Sequence, residues 1–157
     1  MPEGFQSGEK CEYIDALGYL DIVASTGIYP VSEYELAMRS ARAKLNESVV
    51  IFLKDKIVSA YSKQASKSGD SKPDMDEKYI LSSLSSGVIM GVETTKTVPL
   101  YMDNNKVQIW IKGKWSKESM KRSLDSLDEI KISNLPPKEQ AIYTATKREI
   151  KQIMGEE

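Results

Sequence analysis

Along residues 16–24, Leu20 and Ile22 fall on one side of an alternating pattern while Tyr19, Asp21 and Val23 fall on the other. That period of two predicts a strand, which Gly27 and Pro30 bring to an end. The period then changes. Met38, Ala41, Leu45, Val49, Phe52, Leu53 and Ile57 recur at threes and fours, with Arg39, Arg42, Lys44, Glu47 and Lys54 between them, which predicts one long amphipathic helix from about Glu33 to Ser62. Its start is marked by Ser32-Glu33-Tyr34-Glu35, a capping box in which serine and glutamate satisfy each other's free amides, with Val31 placed to staple onto Leu36. Such a helix is roughly 45 Å long at about 1.5 Å per residue.

The stretch from Gln64 to Pro73 is polar apart from Ala65 and predicts an exposed loop. Asp74-Met75-Asp76-Glu77 then opens a short helix carrying Ile80, Leu81 and Leu84, which stops before Gly87. Val88 to Met102 and Lys106 to Lys112 predict a hairpin turning at Asp103-Asn104-Asn105, residues that tolerate left-handed backbone. In its second arm Val107, Ile109 and Ile111 alternate with Gln108, Trp110 and Lys112. Ser116 caps a helix through Leu127, and Pro136-Pro137 introduces a last helix to about Met154. The economical arrangement is an α+β fold with a small antiparallel or mixed sheet of about three strands packed on one long helix, and additional C-terminal helices. Residues 1–13 read as a flexible tail, 14–132 as the α+β domain and 133–157 as a C-terminal helical extension.

Composition narrows the chemistry. The chain has 157 residues, no histidine and one cysteine, so the side chains behind most proton shuttles, zinc sites and nucleophilic triads are missing. With 22 basic against 23 acidic residues there is no broad attraction to nucleic acid. No apolar run reaches the roughly 20 residues of a membrane span. Gly113-Lys114-Trp115-Ser116 lacks the earlier glycine of a phosphate loop, and Asp70, Asp74, Asp76 and Glu77 lack the spacing and central glycine of a calcium loop. Ser7-Gly8-Glu9-Lys10 has the serine-lysine spacing of one acyl-enzyme class, but in a polar tail where nothing lowers the lysine pKa. Cys11 follows Gly8-Glu9-Lys10 rather than an apolar lipidation box. The expectation is a chain that is not an enzyme and carries no cofactor or metal.

Two features remain. A basic run, Lys112, Lys114, Lys117, Lys121 and Arg122, brackets Trp115 and reads first as a solvated face. Trp110 lies on the polar side of its strand and requires cover from a ligand, a second subunit or the last helix. Val88, Met90 and Val92 extend the apolar surface of the first hairpin arm, so a homo-oligomer contact around Trp110 is expected. Pro99 removes a ladder donor and favours a closed assembly.

Ala37-Met38-Arg39-Ser40-Ala41-Arg42-Ala43-Lys44-Leu45 after an opening strand, the serine-rich interruption from Ser66 to Pro73, Val88-Ile89-Met90-Gly91-Val92, Val107-Gln108-Ile109-Trp110-Ile111 and the helix from Ser116 to Leu127 come in a telling order. From Ala16 to about Leu127 this layout resembles the Lpp-twenty family of bacterial outer-membrane lipoproteins, whose relatives include a flagellar basal-disk lipoprotein. The resemblance implies a dodecin-like or SHS2-like domain, a periplasmic or outer-membrane location, envelope or flagellar protein partners, and self-association without catalytic residues. Membrane contact is implied only through a lipid anchor that this sequence lacks, and the residues themselves fit a cytoplasmic location equally. The alternative reading is a small-ligand binding domain that uses a sheet-helix cleft, with Trp110 or Trp115 as its aromatic platform.

Overall fold

The structure, a computed structural model, describes residues 2–68 and 76–155, with residues 64–68 described by their backbone alone. Its elements are β1 (Lys10–Ile14), β2 (Tyr19–Ser25), β3 (Tyr29–Pro30), a 3-10 turn (Val31–Glu33), α1 (Tyr34–Ser68), α2 (Glu77–Leu84), β4 (Glu93–Met102), β5 (Lys106–Ser116), α3 (Lys117–Glu129), a second 3-10 turn (Ile132–Asn134) and α4 (Pro137–Ile153). The expected α+β class holds: an antiparallel sheet, one long helix and further C-terminal helices.

The sheet has five strands, and every pairing is antiparallel. β5 is its centre. One side of β5 pairs with β2 and then β3, and the other pairs with β4, while β1 lies outside β2. The two additional strands are β1, within the segment expected to be a tail, and the two-residue β3. β1 forms because Lys10 to Ile14 find the unpaired side of Tyr19 to Val23 across a short turn. β3 exists because the chain bends at Thr26, whose hydroxyl accepts the Ile109 amide at 3.0 Å and donates to Gly27 O at 2.7 Å before pairing resumes.

Three other expectations change. The Ser32–Glu35 capping box gives way to a 3-10 turn without a side-chain cap, which runs directly into α1 and leaves Val31 and Leu36 exposed instead of stapled. α1 continues to Ser68, because Lys, Gln, Ala and Ser there keep helix propensity after the apolar stripe fades. The expected loop is therefore helical over its first part, and its remainder, 69–73, lies outside the described residues with Asp74 and Met75. Asp76 caps α2, its carboxylate accepting the amides of Lys78 and Tyr79.

The chain divides into two compact units, Met1–Val49 with Gly91–Lys117, and Val50–Met90 with Glu118–Glu157. In the first, Ala37, Ala41, Leu45 and Val49 form the buried stripe of α1, and Leu20, Ile22, Ala24, Val107, Ile109, Ile111 and Trp115 are the buried side of β2 and β5. Helix and sheet meet closely at Gly113. A Cβ there would lie 2.6 Å from Glu93 O and 2.7 Å from Leu45 Cδ1. In the second unit the core is Val50, Leu53 and Ile57 of α1 with Ile80 and Leu84, Met120, Leu124 and Leu127, and Ile142, Ala145 and Ile150. The helix expected as an extension, α4, belongs to this unit and contributes to its core.

Candidate functional site

Register divides the sheet into two faces. Opposite the buried side lie Lys10 and Glu12 of β1, Asp21, Val23 and Ser25 of β2, Gln108, Trp110, Lys112 and Lys114 of β5, and Lys96, Val98 and Leu100 of β4. This outer face carries the residue that most demanded an explanation. Trp110 is only 8% exposed, and its cover comes from the chain's own N-terminal segment. It is Phe5, fully buried, whose ring meets the indole edge-on with centroids 5.9 Å apart and planes at 64°. Phe5, Val23 and Trp110 form a small cluster of their own, joined by Val98 and Leu100.

The segment that delivers Phe5 is a strap of turns, closed by Phe5 N–H donating to Pro2 O at 3.1 Å and Gly8 N–H donating to Phe5 O at 3.0 Å. Gly4 and Gly8 sit at φ +89° and +71°, which glycine adopts readily. Glu9 latches the strap, its Oε1 accepting both the Ser25 amide at 3.1 Å and the Ser25 hydroxyl at 2.6 Å. Lys112 and Lys96 face each other across β4 and β5, a like-charge pairing that costs energy on a bare sheet. Both ammonium groups lie over the Phe5 ring, at 4.9 and 5.9 Å from its centroid, so the negative face of the ring offsets their repulsion. The indole N–H donates to Gln108 Oε1 at 3.2 Å, and Gln108 Nε2 donates to Thr26 O at 3.0 Å.

Trp115 points the other way and is completely buried on the helix-facing side. Neither indole therefore offers a platform, and the ligand-cleft expectation loses the residues that motivated it. Val88, Met90 and Val92 do not share a strand face. β4 begins only at Glu93, because Gly87 and Gly91 take φ +99° and +77° and break the extended run. Val88 is buried, Met90 is exposed with its amide held by Ser123 Oγ at 2.9 Å, and Val92 is half-buried. The basic run is also distributed: Lys112 and Lys114 stand on the outer face, Lys114 near Glu93 at 3.9 Å and over the Tyr19 ring, while Lys117, Lys121 and Arg122 are exposed along α3.

Ionised groups elsewhere on this face are paired. Lys10 bridges Asp21 at 3.1 Å and Glu12 at 3.2 Å, and those hydrogen bonds, Asp21's first, raise its pKa. Cys11 lies on the helix-facing side of β1, its thiol pushed up to about 12, chiefly by burial and then by the Asp21 charge. A thiol so far above neutrality is a poor nucleophile. At about pH 8 its alkylation by iodoacetamide should be slower in the folded protein than in urea by roughly two to three orders of magnitude. Comparable rates in the two states would show that the fold neither shields the thiol nor raises its pKa.

Sequence reasoning missed a second surface, at the hairpin end of the first unit. Tyr29, Val107 and Tyr101 lie abreast across β3, β5 and β4, and the Val31 amide donates to Asn105 O at 2.8 Å beside the turn where Asn104 and Asn105 take φ +63° and +56°. On the segments that run into that end, Tyr101 is 62% exposed, Ile28 60%, Leu36 46% and Val31 37%. The signal was present in the capping box: a staple between Val31 and Leu36 that does not close leaves both apolar side chains in water. The adjoining edge of β4 is blunted. Ile109 directs its amide and carbonyl to Thr26, so Pro99 opposite it faces outward, where a free edge would otherwise present an N–H.

Compared with known proteins, the chain matches no protein-family model, no curated protein and no solved structure.

Proposed function

We propose that the chain is a non-catalytic assembly protein of the cell envelope that works by self-association. The observation that carries the reading is the apolar group Ile28, Val31, Leu36 and Tyr101, brought to one end of the sheet by β3 and the β4–β5 hairpin and left open to solvent. Large apolar side chains exposed near one another at one end of a sheet are candidates for an interaction site, and tyrosine is among the residues that most often anchor one. The partner proposed is a second copy. The outward Pro99 favours a contact through these side chains, closed after one or a few copies, over strand-to-strand growth. The envelope setting, and with it flagellar or other envelope partners, rests on the resemblance of layout.

Sedimentation over a wide concentration range tests the self-association. The wild type should form a dimer or larger closed species, and Tyr101→Lys should weaken it by at least about tenfold, the loss expected for a central anchor. A wild type that is monomeric at every concentration would refute the reading. Fractionation of the native host tests the setting: recovery with the envelope is expected, and recovery wholly in the cytosol would remove the envelope from the proposal.

A further inference from the structure

We infer that the outer face of the sheet is a receptor groove for the strap, residues 2–9, and that two copies of the chain pair by trading straps, Phe5 of each seated on Trp110 of the other. The inference rests on the self-association reading for the kind of partner, but it concerns a different surface from the Tyr101 end. Four observations lead to it. The Phe5, Val23 and Trp110 cluster is separate from the helix-facing core of the sheet, so Phe5 can leave without opening that core. The groups that receive Phe5 stand on β2, β4 and β5: Val23, Trp110, Val98 and Leu100 around the ring, with Lys96 and Lys112 above it. An identical strap from a second copy makes the same contacts, so exchange conserves them, as in domain swapping.

The reach is also right. Glu9 stays latched to Ser25, and from Glu9 to Phe5 the chain spans at most about 13 Å when Gln6, Ser7 and Gly8 are extended, against the roughly 10 Å that separates two sheets packed face to face. Two outer faces meeting over their Trp110 rows thus lie within reach of each other's Phe5. The last observation is the hinge. The turn that folds the strap back is closed by the Gly8 amide on Phe5 O, with Gly8 at φ +71° and open space where a Cβ would be. A β-branched residue fits that space but disfavours that φ, so it penalises the folded-back form and leaves the extended, traded form unstrained.

The test is made on the full chain in the Tyr101→Lys background, so that the hairpin-end surface does not contribute. Phe5→Ala keeps an intact groove, and Trp110→Ala keeps an intact strap. Alone, Phe5→Ala should show red-shifted tryptophan emission, because Trp110 is uncovered. Mixed with Trp110→Ala, whose only indole is Trp115, it should return toward the blue and yield a heterodimer of twice the mass. No return and no doubled mass at any ratio would overturn the inference. Gly8→Val decides independently if Trp110→Ala fails to fold: it should raise the dimerisation constant about tenfold or more, and a constant left unchanged would overturn the trade. Insensitivity of wild-type association to Tyr101→Lys would count against the hairpin-end surface alone.

Discussion

Gly113→Ala should unfold the protein at markedly lower denaturant, with a loss of about 3 kcal/mol, at the upper end of what overpacking a tight site costs. The added methyl would stand 2.6 Å from the Glu93 carbonyl and 2.7 Å from Leu45 Cδ1. The carbonyl belongs to the backbone of a strand paired with β5 and cannot withdraw without breaking the ladder, while Leu45 is held in the buried stripe of α1. Glycine is required here for space, since no left-handed φ is involved. Urea titration checks it. A midpoint within error of the wild type would mean that α1 does not lie against β5 as described.

The second large effect is Trp115→Ala, expected to cost about 3–5 kcal/mol, the range for truncating a fully buried aromatic side chain. Trp115 is opposite Leu20 on the helix-facing side and has no exposed surface. Trp110→Ala should cost less, because its cluster is small and lies on the outer face. The contrast between the two tryptophans separates a core residue from a strap receptor by thermal or chemical unfolding of both variants. Equal losses would place both indoles in one cooperative core.

How far the residues announced this arrangement depends on which physical signal each element carries. The long helix, the short capped helix, the Asn104–Asn105 turn and the β5 alternation are local patterns, and local patterns are readable. The need of Trp110 for cover was readable too, because an indole on the polar side of a strand is conspicuous. What covers it was not. Phe5 sits among glycines and polar residues, and a turn-borne aromatic has no periodicity to mark its destination. β3 is two residues long and exists only through pairing with Val107 and Lys106. The run Val88 to Val92 reads as strand from its apolar content, but Gly87 and Gly91 take positive φ values that turn the chain out of extended geometry. The open surface of Ile28, Val31, Leu36 and Tyr101 arises from three separate segments meeting at one end of the sheet, which composition along the chain does not register.

The chain is proposed to meet its own copy at the Tyr101 end of the sheet, and amide hydrogen exchange below and above the association midpoint reads that surface directly. In the wild type, protection should rise with concentration in residues 28–36 and at Tyr101 while the helices of the second unit remain unchanged. Association without added protection at those positions, or with protection confined to α3 and α4, would contradict it.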